Sequence, residues 1–81
     1  MQQQQVIDKL QDVFDSVFLD KVEVTPELSA ASVPEWDSLT HVNLIMAVEE
    51  AFNVRFRVGE VESTKNVGDL ANLIIKCADR G

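Results

Sequence analysis

The run SLTHVNLIMAVEEAF, residues 38 to 52, carries apolar side chains on two sides of what reads as a single helix. At about 100° per residue, Leu44, Ile45, Val48, Ala51 and Phe52 gather on one side. Leu39, Val42 and Met46 gather on nearly the opposite side, bordered by Asn43, Glu49 and Glu50. Such a helix needs two apolar contacts. One is the core of its own domain. The other is either a further segment of the same chain, such as the long connection before the helix, or a partner protein.

Two more helices are written in the same periodicity. Val6, Ile7, Leu10, Val13, Phe14, Val17 and Phe18 recur at three- and four-residue steps, which predicts a first helix ending near Leu19 behind fraying glutamines. A last helix opens at Asn66, with Asp69 near its positive end and Val67, Leu70, Ile74 and Cys77 as the core stripe, widened by Leu73. The connection from Asp20 to Trp36 can be pinned through Val22, Val24, Leu28 and Val33. Within it, Thr25 and Pro26 read as the cap and first position of one short helical turn. VRFRV, residues 54 to 58, alternates like a strand but is short and has no pairing partner, so it reads as a loop with Phe56 inward. A short third helix is expected around Glu60 to Ser63. The prediction is an all-α fold, one domain over residues 1–81, with three main helices and one short one.

A chain of 81 residues that is 46% hydrophobic can form a compact core, but one core of that size leaves little room for an enclosed active site. That weighs against an enzyme. The net charge of −7 disfavours nucleic acid and anionic membrane as partners and favours basic proteins. Between Lys21 and Arg55 there is no Lys or Arg, while Glu23, Glu27, Glu35, Asp37, Glu49 and Glu50 fall in that span. These acids could simply solubilise the surface; beside the apolar stripe they can also steer a partner into register, in a salt-sensitive way. Cys77 is the lone cysteine, which rules out an internal disulfide and reads as a small buried hydrophobe. The opening MQQQQVIDKL has no signal-peptide pattern and no run reaches the length of a membrane span, so a cytoplasmic chain is expected.

Ser38 stands just behind Asp37, the predicted cap of the second helix. Serine and aspartate are common at helix starts, so the pair alone says little. A nucleophilic serine needs a base and an oxyanion site. His41, one turn on, leans toward the core edge, and its positive form is disfavoured near a helix N-terminus. No glycine-rich elbow surrounds the serine. A third role fits better: Ser38 is modified by another enzyme and holds an anionic group. The helix dipole favours such a group by about 0.3–1 kcal/mol.

DSL opening an acidic helix, then VNLIMAVEEAF, and a final helix starting at NVGDL, together resemble the acyl carrier proteins over essentially the whole chain. The resemblance implies a four-helix bundle with a long first loop and a short third helix. It implies 4′-phosphopantetheine on Ser38, installed by a phosphopantetheinyl transferase, with acyl groups held as thioesters on the arm. The carrier would present them to acyl-transfer and synthase enzymes with basic docking surfaces, in fatty-acid, polyketide or specialised lipid synthesis, and would be a monomer. Asp37, Leu39, Val42, Met46, Glu49 and Glu50 match its motif and partner-binding positions. Ile45, Val48, Phe52 and Phe56 could line an acyl pocket, at about 0.8 kcal/mol per buried CH₂, or could be ordinary core. Trp36 before the cap, uncharged Asn43, and Arg55 and Arg57 beyond the helix depart from the fatty-acid pattern and make a specialised pathway at least as expected as fatty-acid synthesis, with structural packing the safer reading of Trp36. An aminoacyl or peptidyl carrier and an unmodified helical adaptor remain the alternatives, with a Ser–His hydrolase behind them.

Overall fold

The structure, a computed structural model, describes residues 2–57 and 59–80. Three α-helices make up its frame: α1 (Gln3–Val17), α2 (Ser38–Phe52) and α3 (Val67–Arg80). Two single 3-10 turns, Ala30–Ser32 and Val61–Ser63, lie in the connections. Among the described residues there is no strand. Val58, the last residue of the alternating VRFRV run, lies outside them.

α1 packs against both α2 and α3. Its stripe of Val6, Ile7, Leu10, Val13 and Phe14 is buried, as the periodicity requires. The glutamines at its start are helical rather than frayed, because the Gln5 side chain accepts the Gln2 backbone N–H at 2.9 Å. The helix stops at Val17, two residues before the expected end. Phe18 turns extended and buries its ring against Phe14, with centroids 5.2 Å apart. The Glu35 carboxylate takes the next two backbone donors, Leu19 N–H at 3.1 Å and Asp20 N–H at 2.9 Å. Those donors would otherwise continue the α-helical ladder.

Side-chain amides and carboxylates also hold the long connection. Gln11 donates from Nε2 to the Val22 carbonyl at 2.8 Å and accepts the Val24 N–H on Oε1 at 3.0 Å, the way a neighbouring strand would. Val24 and Val33 are buried, and Val22 and Leu28 pack against the core. Thr25 and Pro26 do not start a helix. They form one turn closed by Leu28 N–H to the Thr25 carbonyl at 3.1 Å, and the 3-10 turn comes later, at Ala30. The Pro26 and Leu28 carbonyls are used instead by Gly68 N–H at 2.9 Å and Val67 N–H at 2.8 Å, so they cannot propagate a helix.

α2 ends at Asn53, whose left-handed backbone (φ 54°) closes it. The expected short third helix is the single 3-10 turn Val61–Ser63. α3 starts as predicted: Asn66 Oδ1 accepts Asp69 N–H at 2.8 Å, and Asp69 Oδ2 accepts Lys65 N–H at 3.1 Å. Its buried stripe is Val67, Leu70, Ala71, Ile74 and Cys77, with Leu73 only half-buried. Ala71 had no distinguishing signal because alanine fits a helix on any face.

Candidate functional site at the start of the second helix

Asp37 is extended, and its Oδ1 accepts the Thr40 N–H at 2.8 Å while its carbonyl accepts the His41 N–H at 2.8 Å. The Thr40 backbone N–H, reinforced by the Thr40 side chain, holds the Asp37 pKa below the ordinary carboxylate value. The next residue, Ser38, is the first of α2 and is exposed. The N–H groups of a helix's first turn have no carbonyl partner inside the helix. A hydroxyl here therefore stands at the positive end of the dipole with open access to solvent.

Trp36 fixes the approach. Its N–H bonds the Val33 carbonyl at 3.0 Å, and its ring meets Phe14 edge-on at 5.4 Å and Phe18 at 6.0 Å. Its indole Nε1–H donates to His41 Nδ1 at 3.0 Å. That bond answers the question of a base for Ser38. The Nδ1 lone pair is committed to Trp36, so in neutral His41 the ring proton sits on Nε2 and no lone pair is left to accept from a serine. His41 is a packing and hydrogen-bonding residue, as its position suggested.

The second stripe of α2 is uncovered. Leu39, Val42 and Met46 are 73%, 53% and 63% exposed, whereas Leu44 and Val48 on the other side are fully buried. The long connection, the candidate cover within the chain, packs elsewhere through Val24 and Val33. Glu50 is exposed beside the stripe, while Glu49 is half-buried and accepts the Phe56 N–H on Oε2 at 3.0 Å. Glu49 thus belongs both to this face and to the closure of the helix. Of the four residues considered for an acyl pocket, Val48 is in the core and Ile45, Phe52 and Phe56 are partly buried against it. The Lys9 ammonium lies 5.0 Å from the Phe52 ring centre.

Several structural roles had no sequence signal. Glu35 looked like one more acid in a charged run, yet it holds the end of α1. Its partners lie fifteen and sixteen residues away, beyond any local pattern. Among the described residues no polar or charged side chain is buried, and no group of His, Cys, Asp and Glu is placed to hold a metal ion. No described helix is long and apolar enough to cross a membrane.

No family-level sequence profile matches the chain. It is 37% identical over 75 residues to the acyl carrier protein of Thermosynechococcus vestitus, which covers 91% of this chain and 93% of that protein. It is 34% identical over 77 residues to the acyl carrier protein of Rubrobacter xylanophilus, covering 94% and 95% of the two chains. The fold is similar to the solution structure of a holo acyl carrier protein from Geobacter metallireducens, with a TM-score of 0.75 and 38% identity over 96% of this chain and 86% of that one.

Proposed function

The chain belongs to the acyl carrier protein family, and on that premise we propose that the Ser38 oxygen is the attachment point of its phosphopantetheine arm. The protein is a carrier that bears 4′-phosphopantetheine, and the solved structure it resembles is that of a holo acyl carrier protein. When bound, the arm supplies a terminal thiol that holds acyl groups as thioesters. The chain's own contribution is placement.

The observation that carries the assignment is the exposure of Ser38 at the open first turn of α2, directly behind the Asp37 cap. The residues present fit a phosphodiester there. The hydroxyl is accessible, the dipole favours an anion by about 0.3–1 kcal/mol, and Asp37 turns its carboxylate toward the Thr40 N–H. Trp36, anchored on Phe14 and Phe18, keeps this corner from shifting as partners come and go. His41 cannot activate the serine, so the activation falls to a separate transferase, and the chain itself catalyses nothing.

Leu39, Val42 and Met46, with Glu49 and Glu50 at the border, form the face read by successive acyl-transfer and synthase enzymes. Surface charges of this kind are weak singly and screened by salt, which suits short-lived encounters. Ile45, Val48, Phe52 and Phe56 are the residues an acyl chain would have to part in order to enter the bundle. The departures at Trp36, Arg55 and Arg57 favour a dedicated carrier, working in the cytoplasm, over one for bulk fatty-acid synthesis.

Co-expression with a broad-specificity phosphopantetheinyl transferase should add the mass of one phosphopantetheine group. Ser38→Ala should abolish that gain and leave the helical circular dichroism unchanged. Uptake that survives the substitution would move the attachment elsewhere, and no uptake by the wild-type chain would sink the assignment.

A further inference from the structure

Trp36 is the lone tryptophan of the chain and His41 its lone histidine, and the two are bonded to each other. The indole Nε1–H donates to His41 Nδ1 at 3.0 Å, and the rings stack at 6.1 Å with their planes 23° apart. Trp36 belongs to the seat on α1: its ring lies edge-on against Phe14, and its backbone N–H is held by the Val33 carbonyl. His41 stands on the first turn of α2, three residues after Ser38, and so neighbours it on the helix surface. Asp37 caps that turn from within, through Thr40 N–H and His41 N–H. The Trp36–His41 bond ties it to the aromatic seat on α1.

That tie depends on one proton. An indole N–H only donates, so the imidazole nitrogen facing it must carry a lone pair. Neutral imidazole has one such nitrogen; imidazolium has none, because both of its nitrogens donate. Uptake of a proton therefore sets two donors against each other across 3.0 Å. The surroundings offer no carboxylate in exchange. A hollow of about 70 Å³ beside the two rings is lined by Ala30, Thr64, Lys65, Asn66 and Leu70, and the one charge among these has the same sign as imidazolium. α1 brings up only the uncharged rings of Phe14 and Phe18. The carboxylates of adjoining segments are turned to backbone donors: Glu35 to Leu19 and Asp20, Asp37 to Thr40, and Asp69 to Lys65. Glu62, on the turn before Thr64, is exposed.

We propose that His41 is a positioning residue for the modification site: neutral, it fastens the first turn of α2, and with it Ser38, to the Trp36 ring on α1, and protonated, it releases that turn. Presentation of Ser38 to the transferase is then tuned by pH through a residue that never touches the reacting atoms. This rests on Ser38 as the attachment point and names a regulation of that site.

The test uses the isotope-labelled full chain, with spectra recorded from about pH 8 to about pH 5, the interval in which histidines ordinarily change charge. The Trp36 indole proton should shift with the same midpoint as the His41 ring protons. Hydrogen-exchange protection factors at Thr40 and His41 should fall about threefold to tenfold over that range, as expected for one lost hydrogen bond. His41→Gln keeps an acceptor that does not titrate, so its indole signal and protection should stay level. The ratio of wild-type to His41→Gln loading rates cancels the transferase's own pH dependence and should fall about twofold or more in acid. Trp36→Phe keeps a ring beside Phe14 and leaves the imidazole charge in place but removes the donor, so its protection and its loading ratio to His41→Gln should not vary with pH. Circular dichroism confirms that both variants fold. An indole signal indifferent to His41, unchanged protection, a constant wild-type ratio, or a ratio that still falls in Trp36→Phe would overturn the proposal. Mass gain of the wild-type chain at about pH 8 reads the Ser38 attachment separately: its absence sinks that assignment while the spectra still decide whether His41 holds the turn.

Discussion

Two helices in this protein begin with the same chemistry and end up in opposite situations. At α2 the Asp37 carboxylate accepts the Thr40 N–H at 2.8 Å, and at α3 the Asn66 amide oxygen accepts the Asp69 N–H at 2.8 Å. Beyond the cap they diverge. The next two donors of α3, on Val67 and Gly68, are taken by the Leu28 and Pro26 carbonyls, and both residues are buried. The corresponding residues of α2, Ser38 and Leu39, are exposed. Both helix ends carry the same partial positive charge. Only the one that the chain leaves open has room for an anionic group, so access rather than the dipole separates the proposed attachment site from a structural joint.

The contrast can be broken from either side. The largest change should come from the buried side of α2: Leu44→Ala should cost about 2–5 kcal/mol in denaturant unfolding. Leu39→Ala and Met46→Ala, on the open side of the same helix, should stay within about 0.5 kcal/mol. Similar costs on both sides would mean that the stripe is covered in solution. Next comes the seat of α3. A Cβ at Gly68 would lie 3.1 Å from the Pro26 oxygen and 3.3 Å from Asn66 Oδ1, so Gly68→Val should cost about 1–3 kcal/mol. It should also speed hydrogen exchange at the Val67 amide. The start of α2 should be unaffected, which two-dimensional amide spectra would show.

The smallest effect concerns the cap that stays open. Asp37 has a folded pKa below its unfolded one, so its contribution to stability is present above the ordinary unfolded carboxylate value and is lost as pH falls through the lower folded one. Thermal melts of wild type and Asp37→Ala should differ by a few degrees near neutrality and converge in acid. A gap that stays constant with pH would show that the carboxylate's charge plays no part in the cap.

Much of this architecture is visible in the residues alone. The period of α1 and α3, the caps at Asp37 and Asn66 and the two-sided character of α2 are all short-range features, and all appear at the expected places. The sites of disagreement share one cause. α1 ends early because Phe18 and Glu35 redirect the chain, the Thr25–Pro26 turn stays a turn because α3 claims its carbonyls, and Glu49 doubles as the anchor for Phe56. In each case a side chain or carbonyl is used by a residue several to many positions away.

By itself, then, the sequence determined the three main helices, where α2 and α3 are capped, and that α2 has more apolar surface than one core contact can absorb. Those properties arise from forces that act within a turn or two of helix. The tertiary structure decided that the Leu39–Val42–Met46 stripe of α2 stays uncovered by the chain itself and which helix start stays accessible. Both depend on the path of residues 20–36, set by Gln11, Glu35 and the docking of Pro26 and Leu28 onto α3, contacts that local periodicity cannot encode.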